Sequence, residues 1–413
     1  MPITWLSGLT RITSYDEAME IVLSRHFRQD KERELAANPL KADTLVMLYG
    51  ANHTQRRRFE SPLFARPILG RLEVEVLDRS LATQLRELET STDSFGRVRI
   101  DLLTLARRSL LAMTVSFIGL DPEPDRGWWD QLAQYLDKFG LATVLPFKFD
   151  AMSGEIEDVT AAASDFRLKM FEPAWERRRQ LLGDYEQGRI PEEELPRDLL
   201  TTLLRHLPDR NPDIALRETI LFFNGSIDNV TQAAANTILH LNEWFAEHPA
   251  DRDRVTDLGF LQAAVFEALR LHPTPGLFRT SNTEVVLSTG RPIALGETVM
   301  LDLPAANRDP SVFGPNANTF DPFRVLPIGV KRYGLSFGAA AHKCIGQPMA
   351  TSHDLLTSDA AEADAIGSVL RIVLRMFALD VAIDVEHPPR WREGFLQERL
   401  SSFQVLLTLP RAG

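Results

Sequence analysis

Cysteine is almost absent: the 413-residue chain holds one thiol, Cys344. A lone thiol forms no internal disulfide, and the closely spaced Cys/His sets of ordinary zinc sites are missing. Three roles survive for Cys344: an inert buried side chain, a nucleophile, or a single thiolate ligand to a metal cofactor. No apolar stretch reaches the roughly 20 residues that a membrane-crossing helix needs, and Met1 to Met19 carry no secretory pattern. A cytoplasmic chain without a membrane anchor is expected, one cysteine being compatible with a reducing compartment. Positive charge is not in excess either. With 57 acidic and 46 basic residues the net charge is −11, which argues against nucleic acid as the main partner. Gly/Ser-rich linkers, internal repeats and low-complexity tracts are also lacking, so residues 1–413 read as one domain.

Around the single thiol runs Phe337-Gly338-Ala339-Ala340-Ala341-His342-Lys343-Cys344-Ile345-Gly346. Gly338 and Gly346 let backbone approach a flat object, and Phe337 offers an apolar wall beside the sulfur. His342 and Lys343 bring donors or positive charge, which favours a thiolate. A helix starting at Gly346 would aim N–H groups at that charge. This setting favours the metal-ligand role.

The run resembles the heme-binding loop of the cytochrome P450 family, F-G-x-G-x-H-x-C-x-G. Phe337, Gly338, His342, Cys344 and Gly346 match at the right spacing, and Ala340 replaces the second glycine. Alanine is tolerable there if the local φ is negative and costly if it is positive. The resemblance implies heme b (iron protoporphyrin IX) with Cys344 as axial ligand, whose thiolate pushes electron density onto the iron.

Distant stretches extend the likeness from about Thr13 to the C-terminus. Glu267-Ala268-Leu269-Arg270 matches E-x-x-R; its two charges share a helix face, and Arg324 occupies the family's third position. Leu271-His272-Pro273 and Ala306–Pro310 follow in the expected order. His53 and Arg57, four apart, project from one helix face. With Arg279 and His342, the resemblance assigns them to the heme carboxylates, where arginine contacts are strong. In the central helix, Thr219–Leu241, the family carries an acid and an alcohol that deliver protons. Gly225-Ser226-Ile227-Asp228-Asn229 aligns there, keeping the acid as Asp228 and replacing the alcohol with Asn229. An amide positions a water or donates a hydrogen bond but relays no proton as a hydroxyl does. A shifted register would bring Thr231 in, and a kinked helix with Asp228 and Asn229 bonding locally is the plain structural alternative.

Helical periodicity predicts helices over Tyr15–Leu23, Ile68–Leu88, Leu102–Ile118, Ala161–Arg179, Glu218–Glu247, Phe260–Leu271 and Ile366–Phe377. Strand patterns are confined to short pieces such as Glu284–Leu287, Thr298–Leu301 and Phe403–Leu407. The expected fold is mostly α with small β-sheets, a P450-like single domain shortened at its N-terminus and therefore open at its entrance. Thr351–Gly367 reads as an acidic insertion after the heme loop. Pocket-lining loops are expected near Leu40–Ala51, Leu141–Asp150 and Thr274–Leu277.

The function implied is a heme-thiolate monooxygenase acting on a small or medium organic substrate, or a peptide, in bacterial secondary metabolism. Electrons would come from a ferredoxin and ferredoxin reductase, steered by Arg56, Arg58, Arg66, Lys331, Arg332 and Lys343. Two alternatives follow from Asn229: oxidative coupling of aromatic rings without oxygen insertion, and a non-catalytic heme gas sensor.

Overall fold

The computed structural model describes residues 2–3, 8–123, 125–148, 151–273, 276–351 and 366–409. Residues 352–365 of the predicted acidic insertion and residues 149–150 and 274–275 of the pocket loops therefore lie outside the described residues. Eight helices carry the argument: α1 (Tyr15–Leu23), α2 (Gly50–Glu60), α3 (Leu102–Ile118), α4 (Arg126–Val144), α5 (Pro212–Ser226), α6 (Asp228–Glu247), α7 (Leu258–Leu271) and α8 (Ser368–Phe377). Their starts follow local chemistry. Asp101 caps α3 on the Thr104 N–H at 2.8 Å, Asn211 caps α5, and Asp257 caps α7. At its far end α3 stops at Gly119, whose φ of +92° only glycine adopts freely.

The main apolar core gathers α3, α4, α5, α6, α7 and α8, with Leu110, Phe139, Phe223, Ile238, Leu261 and Val373 among its buried side chains. A second cluster, around Ile12, Tyr15, Val299 and Leu301, lies under a four-stranded sheet. Its strands are β1 (Thr10–Ile12), β2 (Phe27–Gln29), β3 (Leu277–Ser281) and β4 (Thr298–Leu301), in the order β1-β4-β3-β2. Only β1 and β4 run parallel. The β2–β3 register sets Gln29 opposite Arg279, so two polar residues from distant parts of the chain enter the same site.

The expected long helices over 68–88 and 161–179 both form, each with an internal π-helical stretch, Glu73–Asp78 and Arg167–Phe171. The predicted central helix differs more: it is two helices, α5 and α6, hinged at Ile227 (φ −97°, ψ −64°). Ser226 Oγ bonds back to the Phe222 carbonyl at 2.8 Å and to Phe223 at 3.3 Å, competing with the helix ladder at the break. Thr114 on α3 holds the same hydroxyl at 3.0 Å. The N-terminal strand Pro2–Ile3 pairs with Ala151–Met152. Beside it, the Leu396 N–H bonds the Phe147 carbonyl at 2.9 Å.

Candidate heme site

Ion pairs fix the loop that carries Cys344 from behind. Glu267 on α7 takes two bonds from Arg270, at 2.6 and 2.8 Å, and one from Arg324 at 2.9 Å. Arg270 is fully buried and spends its remaining donors on the carbonyls of Asn307 and Ala317, both at 2.7 Å. Asn307 in turn accepts from the Leu335 N–H at 2.8 Å and donates to Ser336 Oγ at 3.1 Å, two residues before Gly338. The sequence triad Glu267–Arg270–Arg324 is thus a scaffold whose last link is the segment ahead of Cys344.

The loop then closes on itself, with the Cys344 N–H on the Phe337 carbonyl at 2.8 Å. Phe337 packs edge-on against Tyr333, with ring centroids 5.0 Å apart. Gly338 sits at φ +61° and Ala340 at φ +55°, so alanine occupies the left-handed region where the sequence reading makes it costly. The N–H groups of Gly346 and Gln347 point at the sulfur. Although the helix that follows, Gln347–Thr351, is short, its first N–H groups do what was expected of them. The Cys344 side chain is open to solvent yet has protein around it on every side, and burial pushes its thiol pKa up against those N–H bonds and the nearby charges of Arg57 and Lys343. It therefore faces an interior space rather than the outer surface. A thiolate so placed calls for a metal cation as partner.

The predicted carboxylate-binding residues converge beside this space. His53 and His342 lie ring to ring, with centroids 4.2 Å apart. His53 is buried, and its Nε2 has no hydrogen-bond partner among the described residues. His342 accepts from Gln29 Nε2 through Nδ1 at 2.9 Å, which leaves its own Nε2–H as a donor. Arg279 is 8% exposed and, among the described residues, its side chain bonds only its neighbour Phe278's carbonyl, at 2.8 Å. Burial lowers its pKa, with Glu34 as the nearest opposing charge. Arg57 reaches the Lys343 carbonyl at 2.7 Å. An unpartnered imidazole nitrogen and a buried arginine without an ion-paired carboxylate fit the two carboxylates of heme. One expectation is corrected. His342 brings no positive charge near neutral pH, since burial, His53, Arg279 and Arg57 pull its pKa down to about 4.

Asp228 and Asn229 sit just past the Ile227 hinge. Asp228 pairs with Arg107 of α3 at 3.2 Å. Asn229 Oδ1 accepts from Arg399 Nη2 at 2.7 Å, and its Nδ2 lies 3.5 Å from the Gly225 carbonyl. Gly225 is exposed despite its place in the central helix, and a Cβ built there would meet nothing within 4 Å. Thr231, the alternative hydroxyl, is buried and its Oγ1 has no partner among the described residues. Sequence reasoning missed Arg107, Gln29 and Arg399, which lie 121, 313 and 170 residues from the residues they touch, Asp228, His342 and Asn229. No local pattern marks them.

Two of the proposed steering residues are structural instead. Arg56 is 7% exposed and binds Glu218 at 2.6 Å, with Glu60 at 3.7 Å. Among the described residues neither Glu60 oxygen has a hydrogen bond, and burial beside Glu218 raises its pKa well above the usual carboxylate range. Arg66 ties Glu73 (2.7 Å) to the carbonyls of Pro348 and Ile366 (both 3.1 Å). Arg58 and Lys331 remain exposed, and Arg332 and Lys343 partly so.

The cytochrome P450 family model matches residues 8–356. Cytochrome P450 734A1 of Arabidopsis thaliana is 23% identical over 419 residues, spanning 94% of this chain and 76% of its own length. Cyclooctatin synthase of Streptomyces melanosporofaciens is 36% identical over 96 residues, 22% of this chain and 21% of its own length. CalO2 superposes with a TM-score of 0.73 at 17% identity, covering 100% of this chain and 93% of its own. HmtT, involved in himastatin biosynthesis, gives 0.72 at 23% identity, with 98% and 93% covered. At such identities the structures speak to the fold alone. Among the described residues no helix is long and apolar enough to cross a membrane. The family match over most of the chain, the shared fold and the Cys344 loop agree: the chain belongs to the cytochrome P450 family, oxidoreductases that bind heme b, here with the Cys344 thiolate as axial ligand.

Proposed function

We propose that the protein is a monooxygenase of bacterial secondary metabolism that acts, as a single domain in the cytoplasm, on a small or medium organic molecule. The observation that carries this is the Cys344 sulfur, facing an interior space beside His53, Arg57, Arg279 and His342. Similarity to HmtT, to the post-tailoring hydroxylase HmtN and to EryK, whose structure holds erythromycin B, supports the biosynthetic setting. When bound, heme supplies the activation of dioxygen, and the protein sets orientation, charge and access. His53, Arg57, Arg279 and His342 hold its carboxylates. Phe337 keeps water from the sulfur, and Gly346 lets the N–H groups reach it. Asp228 is the acid nearest the missing alcohol, and Arg107 fixes its carboxylate. Asn229 orients a water or a substrate group. A ferredoxin-type protein, paired with its reductase, supplies the electrons.

Asn229 favours one second reading, oxidative coupling of aromatic rings without oxygen insertion. Its carbonyl is engaged by Arg399 and its amide faces Gly225, so the position of the family's alcohol carries an amide instead. The test is mass spectrometry of a producer-cell extract incubated with the protein, surrogate ferredoxin, reductase, NADPH and ¹⁸O₂. A product gaining one ¹⁸O supports the monooxygenase. A product that loses two hydrogens and gains no oxygen replaces it with the coupling reading.

A further inference from the structure

Gln397, Arg399 and Asn229 form a hydrogen-bond chain in which every link has one possible polarity. The Pro273 carbonyl, just past α7, can only accept, so Gln397 meets it with Nε2–H and turns Oε1 the other way. Arg399 can only donate, and its Nε gives to that Oε1 at 2.9 Å. Its Nη2 gives to Asn229 Oδ1 at 2.7 Å. The orientation of both amides is thus dictated by a fixed acceptor at one end and a fixed donor between them. Arg399 is buried and, among the described residues, has no ion-paired carboxylate, so its charge strengthens the bonds to the two amide oxygens. Gln232 of α6 holds the adjoining segment, bracketing the Leu400 backbone with two bonds of 2.9 Å.

With Oδ1 occupied, Asn229 has only N–H groups left to offer. One lies 3.5 Å from the Gly225 carbonyl, a long contact, and the other meets no acceptor among the described residues. The helix surface around them is open. Between Glu218 and Val230 the two central helices are buried except at Leu221, Gly225, Asp228 and Asn229. Asp228 turns to Arg107, while the other three recur every fourth residue and form one stripe. A Cβ built on Gly225 would touch nothing within 4 Å. Glu218, three residues before Leu221, binds Arg56 of α2 at 2.6 Å. The stripe therefore begins where the helix that carries His53 and Arg57 crosses α5.

We infer that Arg399 is a positioning residue: by holding the Asn229 oxygen it makes Asn229 a one-way donor to an acceptor oxygen in the heme space. The inference rests on the heme-thiolate reading and assigns a role to the residue that replaces the family's alcohol. A hydroxyl both donates and accepts, whereas a carboxamide pinned through its oxygen only donates. A diatomic ligand of the heme and a carbonyl oxygen of the substrate share the chemistry this donor recognises.

Two readouts on the heme-loaded protein separate those sources. The first is the C–O stretch of the ferrous–CO complex, which an N–H donor at the carbon monoxide oxygen lowers. The second is optical titration of the ferric protein with cyclodecanone against cyclodecane. Asn229→Asp keeps the size and the Arg399 contact but replaces the donor with an acceptor. If the diatomic ligand is the acceptor, the stretch moves to higher wavenumber in Asn229→Asp. If a substrate carbonyl is, the ratio of ketone to hydrocarbon affinity falls about fivefold, the worth of one hydrogen bond. In either case Arg399→Met moves the same readout in the same direction, and Arg399→Lys restores it. In an Asn229→Ala background Arg399→Met adds nothing, which a merely structural role would not produce. Both readouts unchanged in Asn229→Asp overturn the inference, as does an Arg399→Met effect that persists without the Asn229 side chain. Should Arg399→Met fail to take up heme, Arg399→Gln replaces it, since its amide no longer forces one polarity; wild-type readouts there overturn the positioning role. The ferrous–CO Soret band is read on the same samples. A thiolate-type band with both readouts unresponsive removes only this inference, and absence of that band removes the heme-thiolate reading with it.

Discussion

Ala340 shows how one side chain departs from the family's loop at a physical cost. Its φ of +55° places a Cβ in the left-handed region, which costs an L-residue roughly 1–2 kcal/mol, partly offset by the greater unfolded-state freedom of glycine. Ala340→Gly is therefore expected to stabilise the heme-loaded protein by about 0.5–1 kcal/mol, read as a higher denaturant midpoint at unchanged slope. A lower midpoint contradicts the strain. Single residues were also where the sequence was most and least legible. Cys344, His342 and Phe337 could be read because one loop holds them at fixed spacing. Arg399 and Arg107 could not, because their chemistry arises only when the fold sets them against Asn229 and Asp228. His342 was legible as a site residue but not as a neutral one, since its charge state comes from burial and from cations on other elements.

At the scale of elements, the Glu267–Arg270–Arg324 set joins α7 to the segment ahead of the heme loop, entirely inside the protein. Removing one member of a buried charge network leaves the others uncompensated, at about 3–5 kcal/mol. Glu267→Gln should lose that much stability and retain heme poorly, both measurable by denaturant titration and heme-release kinetics; a loss below about 1 kcal/mol would contradict the scaffold role. The end of α7 carries a second, pH-dependent element contact. His272 meets His240 of α6 at 2.8 Å and Trp391 at 5.8 Å between ring centroids. Burial, then the charges of His240 and Arg308, pull its pKa down to about 3. The unfolded chain, with an ordinary histidine pKa of ~6.5, binds the extra proton between those values, so stability rises with pH there. The contribution is complete above about pH 6.5 and is lost as pH falls toward 3, by up to ~1.4 kcal/mol per pH unit. His272→Gln should flatten the profile by that difference, measured as unfolding free energy against pH in both proteins. Helix positions were readable from periodicity because buried faces repeat at helical spacing. The break at Ile227 was legible only as an alternative, a kinked helix; its position was not, because Ser226 bonding back to Phe222 and Phe223 and held by Thr114 sets it.

For the molecule as a whole, with a net charge of −11, the proposed acidic ferredoxin would be steered by the basic residues that remain exposed. Arg58 and Lys331 are exposed, whereas Arg56 and Arg66 are committed inside. Arg58→Glu is expected to slow reduction by an acidic ferredoxin several-fold at low ionic strength and to converge with wild type at high salt, followed by stopped-flow absorbance. Arg56→Glu should instead fail at folding, because it sets a third buried carboxylate beside Glu60 and Glu218. The global architecture was legible once separated motifs agreed on one fold. The pairing of Pro2–Ile3 with Ala151–Met152 was not, because it is backbone to backbone and leaves no sequence signature. The central claim is that Cys344 binds heme iron as a thiolate, and the ferrous–CO absorption spectrum of the reduced, heme-loaded protein tests it most directly. A strongly red-shifted Soret band in wild type, lost in Cys344→Ser, is the predicted result. A wild-type band at the position of a neutral-ligand heme, or a red-shifted band that survives Cys344→Ser, would contradict it.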